Sequence, residues 1–184
     1  TILIADDHPL FREAMRRAVE RAQPGAAIAE AENVAQLLAL VEARFGGNFG
    51  KARPFGWATD RAGALAVFDH FVTHHLPHFG ETQDAMLVGD PVLNHATISP
   101  YLNLGLLTPR EVCDRVQAEW RAGRVPINAA EGFIRQIVGW REFLRGIWGR
   151  EGPDYASRNA RAHSRALPPM YWGAETRMAC MAAA

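Results

Sequence analysis

The sequence predicts a mixed α/β protein dominated by helix, opening on a short βαβα stretch. Three observations carry this expectation: a β-branched apolar run that stops at two acids, a capping box followed by an apolar stripe at helical spacing, and the loss of strand signals after residue 43. The 184 residues are enough to bury a core. A hydrophobic share of 48%, a charged share of 22% and a formal net charge of zero exclude disorder and an overall cationic coat for nucleic acid. Any nucleic-acid surface must be local. Two cysteines, Cys113 and Cys180, are too few for a disulfide scaffold, and no apolar run reaches the roughly 18 residues of a membrane span. Asp6 and Asp7 stand where a leader peptide would not tolerate them, so a cytoplasmic protein with no membrane partner is expected.

In chain order, residues 1–5 (Thr-Ile-Leu-Ile-Ala) read as a strand ending at Asp6-Asp7, and Pro9 opens a helix through Leu10, Ala14 and Ala18. Residues 26–29 read as a second strand ending at Glu30. Asn33 then caps a helix carrying Val34, Leu37, Leu38 and Val41. Two carboxylates at the carboxyl end of a parallel strand could hold Mg²⁺, and the same pair could equally be a solvated loop. From residue 43 the chain turns aromatic, Arg-rich and Gly-punctuated. Asp60 starts a helix over about 60–75, with Ala64, Val67, Phe68 and Phe71 along it. Thr108-Pro109-Arg110-Glu111 is a capping box, followed by Val112, Cys113, Val116 and Trp120 and ended by Gly123. Asn128 with Glu131 predicts a second capped helix, whose Phe133, Ile137, Trp140, Leu144 and Ile147 recur every three or four residues. His70, His74 and His78 could bind Zn²⁺ from one helix face, or form a plain surface cluster. Ser99 before Pro100, with Asn103 one turn on, offers donors suited to a phosphate, and capping alone would also explain them.

Residues 2–13, Ile-Leu-Ile-Ala-Asp-Asp-His-Pro-Leu-Phe-Arg-Glu, resemble the opening of response-regulator receiver domains, over residues 1–42. That resemblance implies Mg²⁺ at Asp6 and Asp7 beside a phosphorylated Asp. The rest of the receiver pattern is missing: Lys51, the single lysine, comes too early, and Asp90 too late for a third strand.

The pairing of residues 99–112, S-P-Y-L-N-L-G-L-L-T-P-R-E-V, with F-I-R-Q-I-V-G-W-R-E-F from Phe133 resembles the photolyase and cryptochrome superfamily. The nearest likeness is to its bacterial iron-sulfur branch of photolyase-related proteins. The segments 79–86, 153–156, Tyr171-Trp172 and 175–180 agree with it in order, and the likeness covers about residues 43–181. It implies a partial FAD-binding helical domain over residues 43–184, joined to a receiver-like start as a chimera, fusion or fragment. The activity implied is FAD- and light-dependent repair of pyrimidine lesions in DNA, or photoreception.

By that resemblance Asn94, His95, Thr97, Ser99 and Asn103 fall on the phosphate side of the flavin, with Gln136, Trp140 and Arg141 on the helix passing flavin and lesion. Arg135 and Arg145 could meet DNA phosphates. Trp140 offers a stacking face or packs in the core; Trp172 passes electrons to the flavin or is a plain buried indole. Cys180 matches the first of four ligands of a four-iron four-sulfur cluster, whose other three would lie beyond residue 184, so this chain is not expected to hold the cluster. The chain is expected to lack part of the catalytic machinery. The competing readings are a response-regulator-like signalling or binding module, and a folded non-catalytic fusion that forms homo-oligomers through uncovered helix faces.

Overall fold

A computed structural model describes residues 1–48, 50–173 and 176–182. The protein is mixed α/β and predominantly helical, and it divides into two units, Thr1–Gly56 with Pro169–Ala182, and Trp57–Pro168.

The first unit opens on β1 (Ile2–Ala5), α1 (Pro9–Ala22), β2 (Ile28–Ala31) and α2 (Val34–Phe45). This is the βαβα order read from the apolar runs. The strands pair in parallel, Ile2 opposite Ile28 and Ala5 opposite Ala31, in a two-stranded sheet. Asn33 caps α2 as expected, its side chain accepting the Gln36 N–H at 2.9 Å. Among the apolar residues described in this unit only Ile4 and Ala31 are buried, because two strands cover one another on an edge and leave both faces of the sheet short of partners. An unexpected buried residue is Arg12, which donates from Nη1 to the Asp6 carbonyl at 2.7 Å and from Nη2 to Glu32 at 2.9 Å. Two short helices, α8 (Met170–Gly173) and α9 (Ala179–Ala182), also belong to this unit.

The second unit holds α3 (Arg61–His74), α4 (Leu76–Thr82), α5 (Ser99–Asn103), α6 (Pro109–Arg121) and α7 (Ile127–Glu151). Its core is built on the rings of Phe71, Phe79 and Phe133, with centroids 4.9 Å apart for Phe71 and Phe133 and 5.5 Å for Phe79 and Phe133. Asp60 caps α3, accepting the Gly63 N–H at 2.7 Å. The capping box of α6 is complete: Thr108 Oγ1 accepts from Glu111 N–H, and Glu111 accepts from Thr108 N–H at 2.9 Å. Gly123, at φ +72°, takes the left-handed turn that lets the chain leave α6.

The helix expected over about residues 60–75 forms between its caps Asp60 and His75, and after a break at His75 the chain resumes as α4, with Pro77 in its first turn, where a missing N–H costs nothing. One expectation is corrected. The capping box at Asn128 and Glu131 does not form. Pro126 occupies the cap position of α7 without a side-chain bond, and Glu131 instead takes Arg135 at 2.9 Å, one turn along. Asn128 lies against α4, where a Cβ on Gly80 would approach the Ala129 nitrogen and the Asn128 side chain to 2.6 Å. Only glycine permits α4 to cross α7 this closely.

Candidate functional site

The site lies within the second unit, where α4, the loop 95–98, α5 and the middle of α7 enclose a groove of about 610 Å³. Its wall on the loop side is held from several directions. Asp90 Oδ1 accepts the N–H groups of Val92 at 3.0 Å and Leu93 at 2.9 Å, which keeps its carboxyl below the usual carboxylate range. Asn94 accepts through Oδ1 from the His75 imidazole at 3.1 Å and donates to Thr82 Oγ1 at 3.0 Å. It therefore fastens the loop to the break between α3 and α4 instead of lining the groove. His95 places Nδ1 2.8 Å from the Val92 carbonyl and Nε2 3.2 Å from the Gln83 carbonyl. A neutral imidazole can donate to only one of these.

The loop is also strained: Leu93 and Thr97 have φ of +47° and +50°, a region that a β-branched residue such as Thr97 rarely enters. Such strain persists where surrounding structure fixes it, and it clusters at binding sites. Ser99 begins α5, a helix of five residues, without making a side-chain cap. On the opposite wall α7 presents Gln136, Trp140 and Arg141 on one face. Trp140 donates from its indole N–H to Gln136 at 2.8 Å and is 60% exposed, which rules out core packing for it in this chain. Arg141 is half-buried, donates to the Ile137 carbonyl at 2.8 Å, and has no carboxylate partner among the described residues. Gln83, a further lining residue, carries a buried Oε1 with no hydrogen-bond donor.

Six residues singled out from the sequence thus share one groove: His95, Thr97, Ser99, Gln136, Trp140 and Arg141. The rest do not. Asn103 is exposed at the end of α5, away from the lining. Arg135 lines a second groove, of about 470 Å³, between α6 and α7 and is paired to Glu131. Arg145 is exposed, 3.6 Å from Glu142. Trp172 is an exposed residue of α8 and Cys180 an exposed free thiol of α9, both in the first unit. Glu175 lies outside the described residues.

The metal expectations find no support in the geometry. Asp6 Oδ1 accepts the His8 N–H at 2.8 Å, Asp7 is exposed, and no group of three or more His, Cys, Asp or Glu able to hold a metal occurs among the described residues. This covers Asp6, Asp7, Cys180 and the cluster of His70, His74 and His78 alike. The cluster is a surface one, with the rings of His70 and His74 4.7 Å apart. Sequence reasoning assigned no site role to Phe79, Gln83 and Asp84, which line the groove; their only signal was membership of the motif 79–86.

No protein-family model matches the chain. It is similar to a (6-4) photolyase of Agrobacterium fabrum, 46% identical over 147 residues, which is 80% of this chain and 29% of that relative. It is also similar to an uncharacterised protein of Acanthamoeba polyphaga mimivirus, 43% identical over 67 residues, covering 36% of this chain and 51% of that protein. The chain therefore spans under a third of one relative and about half of the other. Four fifths of it is similar to part of a photolyase, which supports the photolyase and cryptochrome kinship that its motifs suggest.

Proposed function

We propose that the helical part of the chain, from about residue 43, is a segment of an iron-sulfur-type photolyase-like flavoprotein, and that the groove between α5 and α7 receives FAD. The observation that carries this reading is the meeting of His95, Thr97 and Ser99 with Gln136, Trp140 and Arg141, two stretches some forty residues apart, around one cavity. The residues fit the cofactor chemically. At about 610 Å³ the groove falls within the roughly 300–1,000 Å³ of small-molecule sites, and it is mainly apolar with a few polar groups. Arg141 offers an unpaired guanidinium for a phosphate, Ser99 and Thr97 offer hydroxyl donors, and the Gln83 acceptor lacks a donor. Trp140 presents an indole face on which a flat ring can stack.

When bound, FAD supplies light absorption and a donated electron. The chain's own residues bind and orient it. In the parent architecture the reaction is light-dependent repair of pyrimidine lesions in DNA, with Arg135 and Arg145 toward the backbone phosphates and Trp172 in electron delivery. For this chain, which spans 29% of that relative, the activity proposed is flavin binding by the helical unit. The test is the absorption spectrum of the purified protein after incubation with FAD and removal of the excess, with iron determined on the same sample. A flavin band near one per chain, lost in Arg141→Ala, supports the reading. A protein that emerges colourless removes it.

A further inference from the structure

The end of the second unit carries a charge arrangement that the groove does not use. The chain as a whole is neutral, with 20 basic and 20 acidic residues. α7 follows that balance: Arg135 pairs with Glu131 at 2.9 Å and Arg145 with Glu142 at 3.6 Å. After Asp154 the balance is lost. No carboxylate stands between Asp154 and Glu175, while Arg158, Arg161, His163 and Arg165 all fall within that stretch. Every residue from 155 to 168 is exposed.

The segment is anchored at its root and shaped beyond it. Glu151, the last residue of α7, accepts from Arg150 at 2.6 Å and also from Arg158, so one arginine of the stretch fastens it to the helix. Asn159 then closes a turn, donating from Nδ2 to the His163 carbonyl at 2.7 Å and accepting the His163 N–H at 3.0 Å. Ala162 within that turn has φ +50°, a left-handed conformation that the closure holds in place. Arg161 lies in the turn and Arg165 just past it, and neither has a carboxylate partner among the described residues. Tyr155, 53% exposed in the 3-10 turn Pro153–Ser157, offers an aromatic ring to solvent ahead of them.

We propose that residues 155–165 bind single-stranded nucleic acid, with Arg161 and Arg165 on the backbone phosphates and Tyr155 stacking on a base. The inference rests on the nucleic-acid partner proposed above, names different residues for it, and does not depend on flavin. Two unpaired guanidiniums on a segment without carboxylates give a neutral protein a local positive potential, which attracts a polyanion without a cationic coat. Each guanidinium fork matches a pair of phosphate oxygens. A basic segment beside an exposed aromatic joins an electrostatic track to a stacking platform, the combination that single strands use. Tyr155 favours a nucleic acid over an acidic peptide, because a base stacks on the ring and a carboxylate does not. An anionic membrane fits less well, since residues 158–168 form no amphipathic helix. Arg135 and Arg145 are weaker phosphate contacts, because a carboxylate within one turn cancels the charge of each at a distance.

Fluorescence anisotropy of a labelled oligothymidylate of about 16 nucleotides, titrated with the full chain without flavin, tests this. Wild type is expected to bind at low salt and to weaken about tenfold over roughly a fourfold rise in salt, as about two or three phosphate contacts require. Arg161→Ala with Arg165→Ala is expected to weaken binding about tenfold and to flatten that salt dependence, and lysine at both positions to restore most of it. Tyr155→Leu is expected to weaken binding about fivefold or more with the salt dependence kept. These positions are exposed, so the far-UV circular dichroism spectrum should not change. Arg135→Ala with Arg145→Ala is expected to bind like wild type. A chain altered at 161 and 165 that binds as tightly as wild type overturns the inference; if the chain altered at 135 and 145 then fails to bind, the nucleic-acid reading still stands. Equal losses from the two pairs also overturn it, since net charge alone would produce them. A wild type that binds no oligonucleotide removes both, and displacement by polyglutamate as effective as by unlabelled oligothymidylate overturns the choice of partner.

Discussion

Between the helical unit Trp57–Pro168 and the two-stranded start of the chain, the difference lies in what the apolar residues find to pack against. Phe71, Phe79 and Phe133 meet one another from three helices, and Tyr101 is fully enclosed with its hydroxyl accepting the Ala58 N–H at 3.1 Å. In the first unit Leu10, Phe11 and Met15 form an equally helical stripe and remain in solvent. Periodicity thus identifies which side chains share a face, and burial depends on whether another element supplies the opposite wall. α7 displays both outcomes along one helix. Phe133 and Ile137 are buried under α4, while Trp140, Phe143, Leu144 and Trp148 continue past the core and are exposed.

This contrast orders the expected effects of substitution. The largest belongs to Phe133→Ala, which empties the centre of the aromatic cluster and should cost about 3–5 kcal/mol in urea unfolding followed by tryptophan fluorescence. Trp57, Trp120, Trp140 and Trp148 all report on this unit. Gly80→Ala should cost somewhat less, about 2–3 kcal/mol, since its Cβ would meet main-chain atoms of α7 that cannot rotate aside.

Glu119 comes next. This buried carboxylate accepts from Arg124 and from Arg115 at 2.9 Å, and these partners hold its pKa down, chiefly through the Arg124 bond, to about 2. A depressed carboxyl stabilises the fold fully above its ordinary value of 4.5, and the contribution is lost as pH falls through about 2. Glu119→Gln should therefore cost about 1–3 kcal/mol at neutral pH, and should flatten the fall in stability between pH 4.5 and about 2. Urea midpoints across that range would record it. Thr108→Ala, which removes half of the capping box, should cost about 1 kcal/mol. Phe11→Ser in the first unit should change stability by less than about 0.5 kcal/mol, because the ring is largely exposed. A loss as large as that of Phe133→Ala would erase the distinction between the two units.

What was legible in the sequence was mostly local. The caps at Asn33, Asp60 and Thr108 each join residues three apart and need no partner from elsewhere. Asn128 and Glu131 carry the same spacing and fail, because Pro126, α4 and Arg135 compete for the same groups. α4 was not foreseen: Pro77 and Gly80 look like helix breakers in sequence, whereas one sits in the first turn and the other is needed for the crossing with α7. For the groove, composition alone offered capping residues at Ser99 and Asn103. It was the motif likeness that joined residues 95–99 to 136–141 across the chain. Asn94 fastens the loop to His75 and Thr82, a role that its letter does not distinguish from that of an amide facing a ligand.

Amide hydrogen exchange, measured on the full chain with and without FAD, tests the flavin reading and the contrast between units together. The expected result is added protection in the loop 95–99 and in α7 from residue 136 to 141, with exchange in β1 and α1 unchanged. Protection spread evenly over both units, or none at a concentration of FAD far above that of protein, would contradict a flavin site built in the helical unit.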